Sequence, residues 1–242
     1  MLVGQGLSGC KQSIVLMTEP YTYNNRIAGL PNGTKAVYAR PRDNQSRIRA
    51  GIAASLDVNL TAMDSWCNED CAVALARIGG AQTVIVSLYL DIKKEIQPEW
   101  LSKLMRMIDS KNYPVLMGID TNAHSTLYGP SSNARGVEFE DFLLQYGLHV
   151  ENEGLTPTFE TRRGEKLIQT HIDVTLSRGL RSRVRNWRVD TEYNASDHNT
   201  IRFGIETGTP EPELIRPWGK ANWAAFTEEL RGAEYGLSLI HI

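Results

Sequence analysis

At 242 residues the chain can form one large domain or two small ones, with ample material for a core. A formal charge of −2 excludes a global cationic field, so any polyanionic partner must be met by a local basic patch. Three cysteines, an odd number, argue against a disulfide framework and suit a reducing compartment. No apolar run approaches membrane-spanning length, and Met1 to Cys10 lacks the charged start and long apolar stretch of a secretory leader. No membrane partner is therefore expected.

In chain order, Ser13 to Thr18 reads as a buried strand that runs straight into Glu19-Pro20-Tyr21. Asn32-Gly33 marks a turn before a strand from Lys35 to Ala39. Arg47 to Leu56, Ala72 to Ile78 and Ala81 to Leu90 read as further strands, the last delivering Tyr89 and Asp91 to its end. Pro98 to Ser110 is a helix, with Trp100, Leu101, Leu104, Met105 and Ile108 at helical spacing. Val115 to Met117 is a short buried strand that ends abruptly in Asp120, Asn122 and His124. A helix from about Gly136 to Tyr146 presents Val137, Phe139, Phe142 and Leu143, and Gly147 ends it. The last third reads as strands: Thr156 to Thr161, Thr170 to Ser177, Val184 to Asp190 and Thr200 to Glu206. Beyond Glu206 the composition turns to Pro, Glu and Thr, which closes a domain over 1–208 and leaves a linker-like tail over 209–242. That tail is expected to be partly helical, over 223–231, or disordered. The alternation predicts an α/β fold of two sheets packed face to face, with helices outside.

Polar groups at strand ends gather where such a sheet opens to a crevice. Four ends supply Glu19, Asp120 with Asn122, Asp173, and Asp197 with His198. This set suits phosphodiester hydrolysis, which needs a hard cation, a base for the attacking water and donors on the phosphoryl oxygens. Glu19 can hold the metal, Asp120 can be the base, and Asn122, Tyr89 and His198 can be the donors. Either Asp173 or Asp197 can hold the imidazole protonated and correctly turned. His171 is assigned to the strand face opposite Asp173, and His149 and His241 have no partner motif.

Thr18-Glu19-Pro20-Tyr21, Ser87-Leu88-Tyr89, Gly118 to His124, Ile172-Asp173 and Ser196-Asp197-His198 occur in a telling order and spacing. They resemble the endonuclease/exonuclease/phosphatase superfamily over roughly residues 13–206. The Asn-Ala-His extension, the Asn186-Trp187-Arg188-Val189 strand and the Pro217 to Leu230 segment are similar to one branch, the endonuclease domain of non-LTR (Jockey-like) retrotransposons. The resemblance implies a DNase I-like, four-layered α/β sandwich. It implies Glu19 as ligand of Mg²⁺, with Mn²⁺ as the alternative ion, and Tyr89 and His198 as phosphate contacts. It makes Asp120 the activator of water and Asn122 its guide, with Asp173 and Asp197 behind His198. The implied task is nicking double-stranded chromosomal DNA in the nucleus. That leaves a 3′-hydroxyl to prime a reverse transcriptase normally carried in the same polyprotein. The family's first strand ends in an asparagine; Met1 to Gln12 is too short for it, so the chain is expected to lack that strand.

Arg178, Arg181, Arg183, Arg185 and Arg188, interleaved with Trp187, form the densest basic run and are expected to lie on the DNA backbone, with His124 beside them. Arg40, Arg42, Arg47 and Arg49 make a weaker patch. Two other readings compete: a lipid or inositol phosphodiesterase on the same fold, and an inactive retrotransposon remnant that at most binds DNA.

Overall fold

The computed structural model describes residues 12–24, 26–41, 47–180, 184–192 and 195–206. The expected tail, with its Pro217 to Leu230 segment and short helix, lies outside the described residues, as do Arg42, Arg181 and Arg183.

Two sheets face each other. The smaller has the order β1 (Ile14–Thr18), β5 (Ala50–Ala54), β4 (Lys35–Tyr38) and is antiparallel throughout. The larger runs β10 (His149–Val150), β13 (Asp173–Arg178), β9 (Val115–Asp120), β8 (Ala81–Tyr89), β7 (Cys71–Ile78), β6 (Leu60–Ala62). β7 and β8 turn on Gly79-Gly80, both at positive φ (54° and 85°), the twist a tight hairpin requires and glycine adopts without strain. β8 and β9 are parallel, so their connection must cross over, and helix α1 (Glu99–Ser110) makes the crossing. Pro98 is extended and lies just ahead of α1. Leu101, Leu104, Met105 and Ile108 are the buried stripe of this helix.

The two faces of the larger sheet bury different cores. Val73, Val86, Leu88, Val115, Met117 and Ile119 meet α1 and helix α2 (Ala134–Tyr146) on one face. Alternate residues on the other face, among them Ala74, Ile85 and Leu116, meet Ile52 and Ala54 of the smaller sheet. Close approach there is enforced by small residues: a Cβ on Gly118 would lie 2.9 Å from Leu16 Cδ1. Among the described residues both α-helices cover the larger sheet. The outer face of the smaller one is covered by the ribbon β2 (Thr22–Tyr23) and β3 (Arg26–Ile27), through Ile27 against Met17 and Ala53. Val137 faces solvent at 51 % exposure, contrary to expectation; Phe139, Phe142, Leu143 and Tyr146 form the buried stripe of α2. Gly147 ends that helix in the left-handed region, as expected.

Two further ribbons complete the described fold. β11 (Phe159–Arg163) and β12 (Lys166–Thr170) form a hairpin turning at Gly164, where the sequence reading placed only the first strand. β14 (Val184–Asp190) pairs with β15 (Thr200–Ile205), with a bulge between Arg185 and Arg188. Phe203 and Ile205 of β15 reach the inter-sheet core. No helix among the described residues is long and apolar enough to cross a membrane.

Candidate active site

The register of three adjacent strands builds the site. Tyr89 of β8 stands beside Asp120 of β9, and Asp120 stands opposite Asp173 of β13. Side chains on aligned positions share a face. Here that is the inter-sheet face, because Ile85 and Leu116, each four positions earlier on its strand, belong to the core between the sheets. The row therefore caps the crevice between the two sheets. Glu19 enters from the opposite layer, immediately after β1, and its N–H donates to the Arg49 carbonyl (2.8 Å). The Ser87 hydroxyl donates to the Met17 carbonyl (2.8 Å) and ties the layers together just below the site.

His198 arrives from the segment before β15. Glu160 N–H donates to the Asp197 carbonyl and Asn199 N–H to the Thr158 carbonyl, each at 2.7 Å, so the β11 segment seats the imidazole. Its Nδ1 lies 3.0 and 3.1 Å from the two Asp173 oxygens, and Nε2 lies 3.9 Å from Asp120. The Phe159 ring meets it edge-on at 5.0 Å. Asp173, then, is the acid behind His198. The expected support from Asp197 is corrected: its side chain is exposed, and it enters the arrangement through its backbone carbonyl.

Burial and crowding set the charges. Asp120 is 2 % exposed, and desolvation followed by the nearby Asp173 carboxylate pushes its pKa up to about 7. Burial alone would lower His198, but the Asp173 hydrogen bond and the charges of Asp173, Asp120 and Glu19 overcome it and raise the imidazole to about 9. Tyr89 is pushed up to about 12 by burial and then by Glu19 and Asp120, so its phenol keeps its proton. Asn122 sits at φ 47° and Glu19 at φ 45°, two left-handed residues flanking the same crevice. Asparagine tolerates that region; for glutamate it is strained and costs on the order of 1 kcal/mol.

Ligand atoms of Glu19, Asp120 and His198 all lie within 4.8 Å of one another, a group that could hold a metal ion. The two carboxylates fit a hard cation. A protonated imidazole already committed to Asp173 has no lone pair to give. His198 is better matched to an anion bound beside the cation.

The sequence placed Arg49 only in a weak basic patch, and gave Glu69, Asp70, Lys94 and Asn133 no role. Arg49 lies with its guanidinium carbon 5.0 Å from the Tyr89 ring centre and ion-pairs with Asp91 (2.7 Å) and Asp70 (3.5 Å). Lys94 pairs with Asp70 and Glu69. These groups, with Glu19, Tyr21 and Ser196, line a groove of about 960 Å³ beside the site. Asn133 caps α2, its Oδ1 accepting from Gly136 N–H (2.8 Å) and from His124 N–H (3.2 Å). His124 is thereby held through its backbone, in the loop beyond the row. A Cβ on Gly136 would lie 1.7 Å from the His124 carbonyl oxygen. Gly136→Ala is therefore expected to destabilise the fold by about 3 kcal/mol, read in a urea titration, because backbone must move to admit it.

The expected basic DNA surface is revised in part. Trp187 is 6 % exposed and its indole N–H donates to Thr175 Oγ1 (3.0 Å), so it is a core residue binding β14 to β13. Arg185 pairs with Glu206, and it lies opposite Gly204, four positions along β15 from Thr200 and away from His198. Arg188 is exposed one register pair nearer the site end. Arg178 ion-pairs with Asp109 (2.6 Å) at the far end of β13. Trp187→Ala is expected to cost about 3–5 kcal/mol of stability, and the folded fraction should retain the wild-type salt dependence of DNA binding. His171 precedes β13 and its Nε2–H donates to the Leu155 carbonyl (3.0 Å), so strand alternation does not apply to it; residues two apart would in any case share a face.

Residues 83–202 match the family model described as endonuclease-reverse transcriptase. The chain is 24 % identical over 207 residues to the retrovirus-related Pol polyprotein from type-1 retrotransposable element R1 of Bradysia coprophila. That match covers 78 % of this chain and 20 % of the polyprotein, so the chain spans about a fifth of this relative's length. Among solved structures it is similar to the endonuclease domain of TRAS1, a telomere-specific non-LTR retrotransposon, at 29 % identity and a TM-score of 0.69, covering 79 % of this chain and 85 % of that one. The AP endonuclease LMAP from Leishmania major shares the fold, with a TM-score of 0.58 at 10 % identity and 74 % and 72 % coverage. In family match, sequence and fold the chain is thus similar to the phosphodiester hydrolases of the endonuclease/exonuclease/phosphatase superfamily, and among them to the endonucleases of non-LTR retrotransposons.

Proposed function

We propose that this chain is a Mg²⁺-dependent DNA endonuclease that nicks one strand of a duplex and leaves a 3′-hydroxyl. The observation that carries the reading is the single row Tyr89–Asp120–Asp173, closed by His198 and Glu19. Glu19 would hold the cation, with Asp120 close enough to share it, and the ion's contribution would be to neutralise charge on the phosphoryl oxygens.

The protein's own groups do the rest. Asp120 accepts a proton from the water that attacks phosphorus; a carboxylate raised toward neutrality is a stronger base than a free one. Asn122, fixed by its N–H to Asp120 Oδ1 (3.1 Å) and its Nδ2 to the Leu90 carbonyl (3.2 Å), orients that water and the phosphate. Protonated His198 and the Tyr89 hydroxyl donate to the phosphoryl oxygens as charge builds there. Asp173 keeps the imidazolium charged and turned. The reverse transcriptase that would extend the nick is the partner implied by the Pol polyprotein relative.

The test is incubation of supercoiled plasmid with the chain in Mg²⁺. The reading predicts open-circular product whose nick a DNA polymerase extends without prior phosphatase treatment, and no product in EDTA. Intact plasmid, or nicks that need phosphatase before extension, would overturn it.

A further inference from the structure

We infer that Arg135 is a positioning residue for cleavage, clamping the two strand-end loops that carry Tyr89, Asp120 and Asn122; this rests on the nuclease reading above. Its guanidinium donates from Nε to the Thr121 carbonyl (3.2 Å) and from Nη1 to the Lys94 carbonyl (2.7 Å). Nη2 donates to the carbonyls of Leu90 (3.3 Å) and Asp91 (3.0 Å). Leu90 follows Tyr89, and Thr121 stands between Asp120 and Asn122, so two of the four clamped carbonyls lie next to residues of the site.

Two links carry the effect inward. The Leu90 carbonyl that receives Arg135 also receives the Asn122 side-chain amide, so the water-orienting group and the guanidinium share one anchor. Thr121 donates through both N–H and hydroxyl to the Ile172 carbonyl (2.9 and 2.8 Å), adjoining Asp173. The helix that presents Arg135 is itself locked to this loop by Asn133 and by the close seat of Gly136 on His124. Only a planar fork with several fixed donors can serve four carbonyls at once; a lysine ammonium is a single mobile point.

The experiment measures kcat and KM for plasmid nicking by Arg135→Lys and Arg135→Ala, with the Asn122 side-chain amide followed by NMR. Supporting contacts of this kind are worth about 10–100-fold. We expect Arg135→Lys to lose that much in kcat with KM changed less than about two-fold, and its Asn122 amide signal to shift. Added guanidinium at low millimolar levels should restore Arg135→Ala in part, where ammonium should not. Unchanged kcat, or an Asn122 signal at its wild-type position in Arg135→Lys, would overturn the inference. Should Arg135→Ala fail to fold, the lysine variant decides alone. A wild-type chain that leaves plasmid intact counts against the nuclease reading, and the Asn122 signal then decides the role of Arg135 by itself.

Discussion

Asp120→Asn is expected to lower nicking at least about a thousand-fold while raising the melting temperature of the metal-free protein. The loss corresponds to about 4 kcal/mol of barrier, the scale on which a general base and its charge act together. The gain has the opposite origin. Asp120 is a buried carboxylate beside Asp173 and Glu19, and its pKa of about 7 records how poorly the fold tolerates its charge. A neutral amide of the same shape removes that repulsion. Activity assays paired with thermal melts in EDTA check both halves. A variant that loses activity and stability together would show Asp120 to be a structural acid.

The second large effect is at Asp173. Asp173→Asn takes away the carboxylate that holds His198 at about 9, and the imidazole should titrate below neutrality, followed by its NMR ring signals. Because the folded pKa lies above the unfolded value near 6.5, this group's stabilisation is fully present below about pH 6.5 and lost as pH rises through 9. The shift of roughly 2.5 units corresponds to about 3 kcal/mol, and His198 is only 24 % exposed, so screening removes little of it. Denaturant titrations of metal-free protein should therefore show wild-type stability falling between pH 7 and 9, with a flatter profile in Asp173→Asn. At neutral pH the variant presents a neutral imidazole to the phosphate, and nicking should drop about 100-fold. A wild-type pH profile unchanged by the substitution would remove His198 from the anion-binding role.

Much of this was legible in the chain because strand ends announce themselves. Val115 to Met117 followed by a carboxylate, and Ile14 to Thr18 followed by Glu19, are abrupt changes from apolar to charged that the structure places on facing layers. Sequence order cannot tell register, and register is what put Asp173 rather than Asp197 behind His198. The same blindness misplaced Trp187. An aromatic among arginines looks like a nucleic-acid contact, yet alternation along β14 turns Val184 and Trp187 inward and leaves Arg185 and Arg188 outward across a bulge. The hairpin β11–β12 was half missed because Lys166 to Thr170 lacks an apolar pattern, although Gly164 marks its turn. Arg135 had no signal at all: its partners are main-chain carbonyls far along the chain, and carbonyls carry no side-chain signature.

The central claim is that Glu19 of one sheet layer and Asp120 of the other meet at one cation-binding centre. Titration of Mn²⁺ into the metal-free chain, followed by electron paramagnetic resonance, tests it most directly. One ion should bind per chain, and Glu19→Gln and Asp120→Asn should each weaken it at least about ten-fold, whereas Asp197→Asn should leave it unchanged. Equal Mn²⁺ binding by wild type and Glu19→Gln would contradict the account.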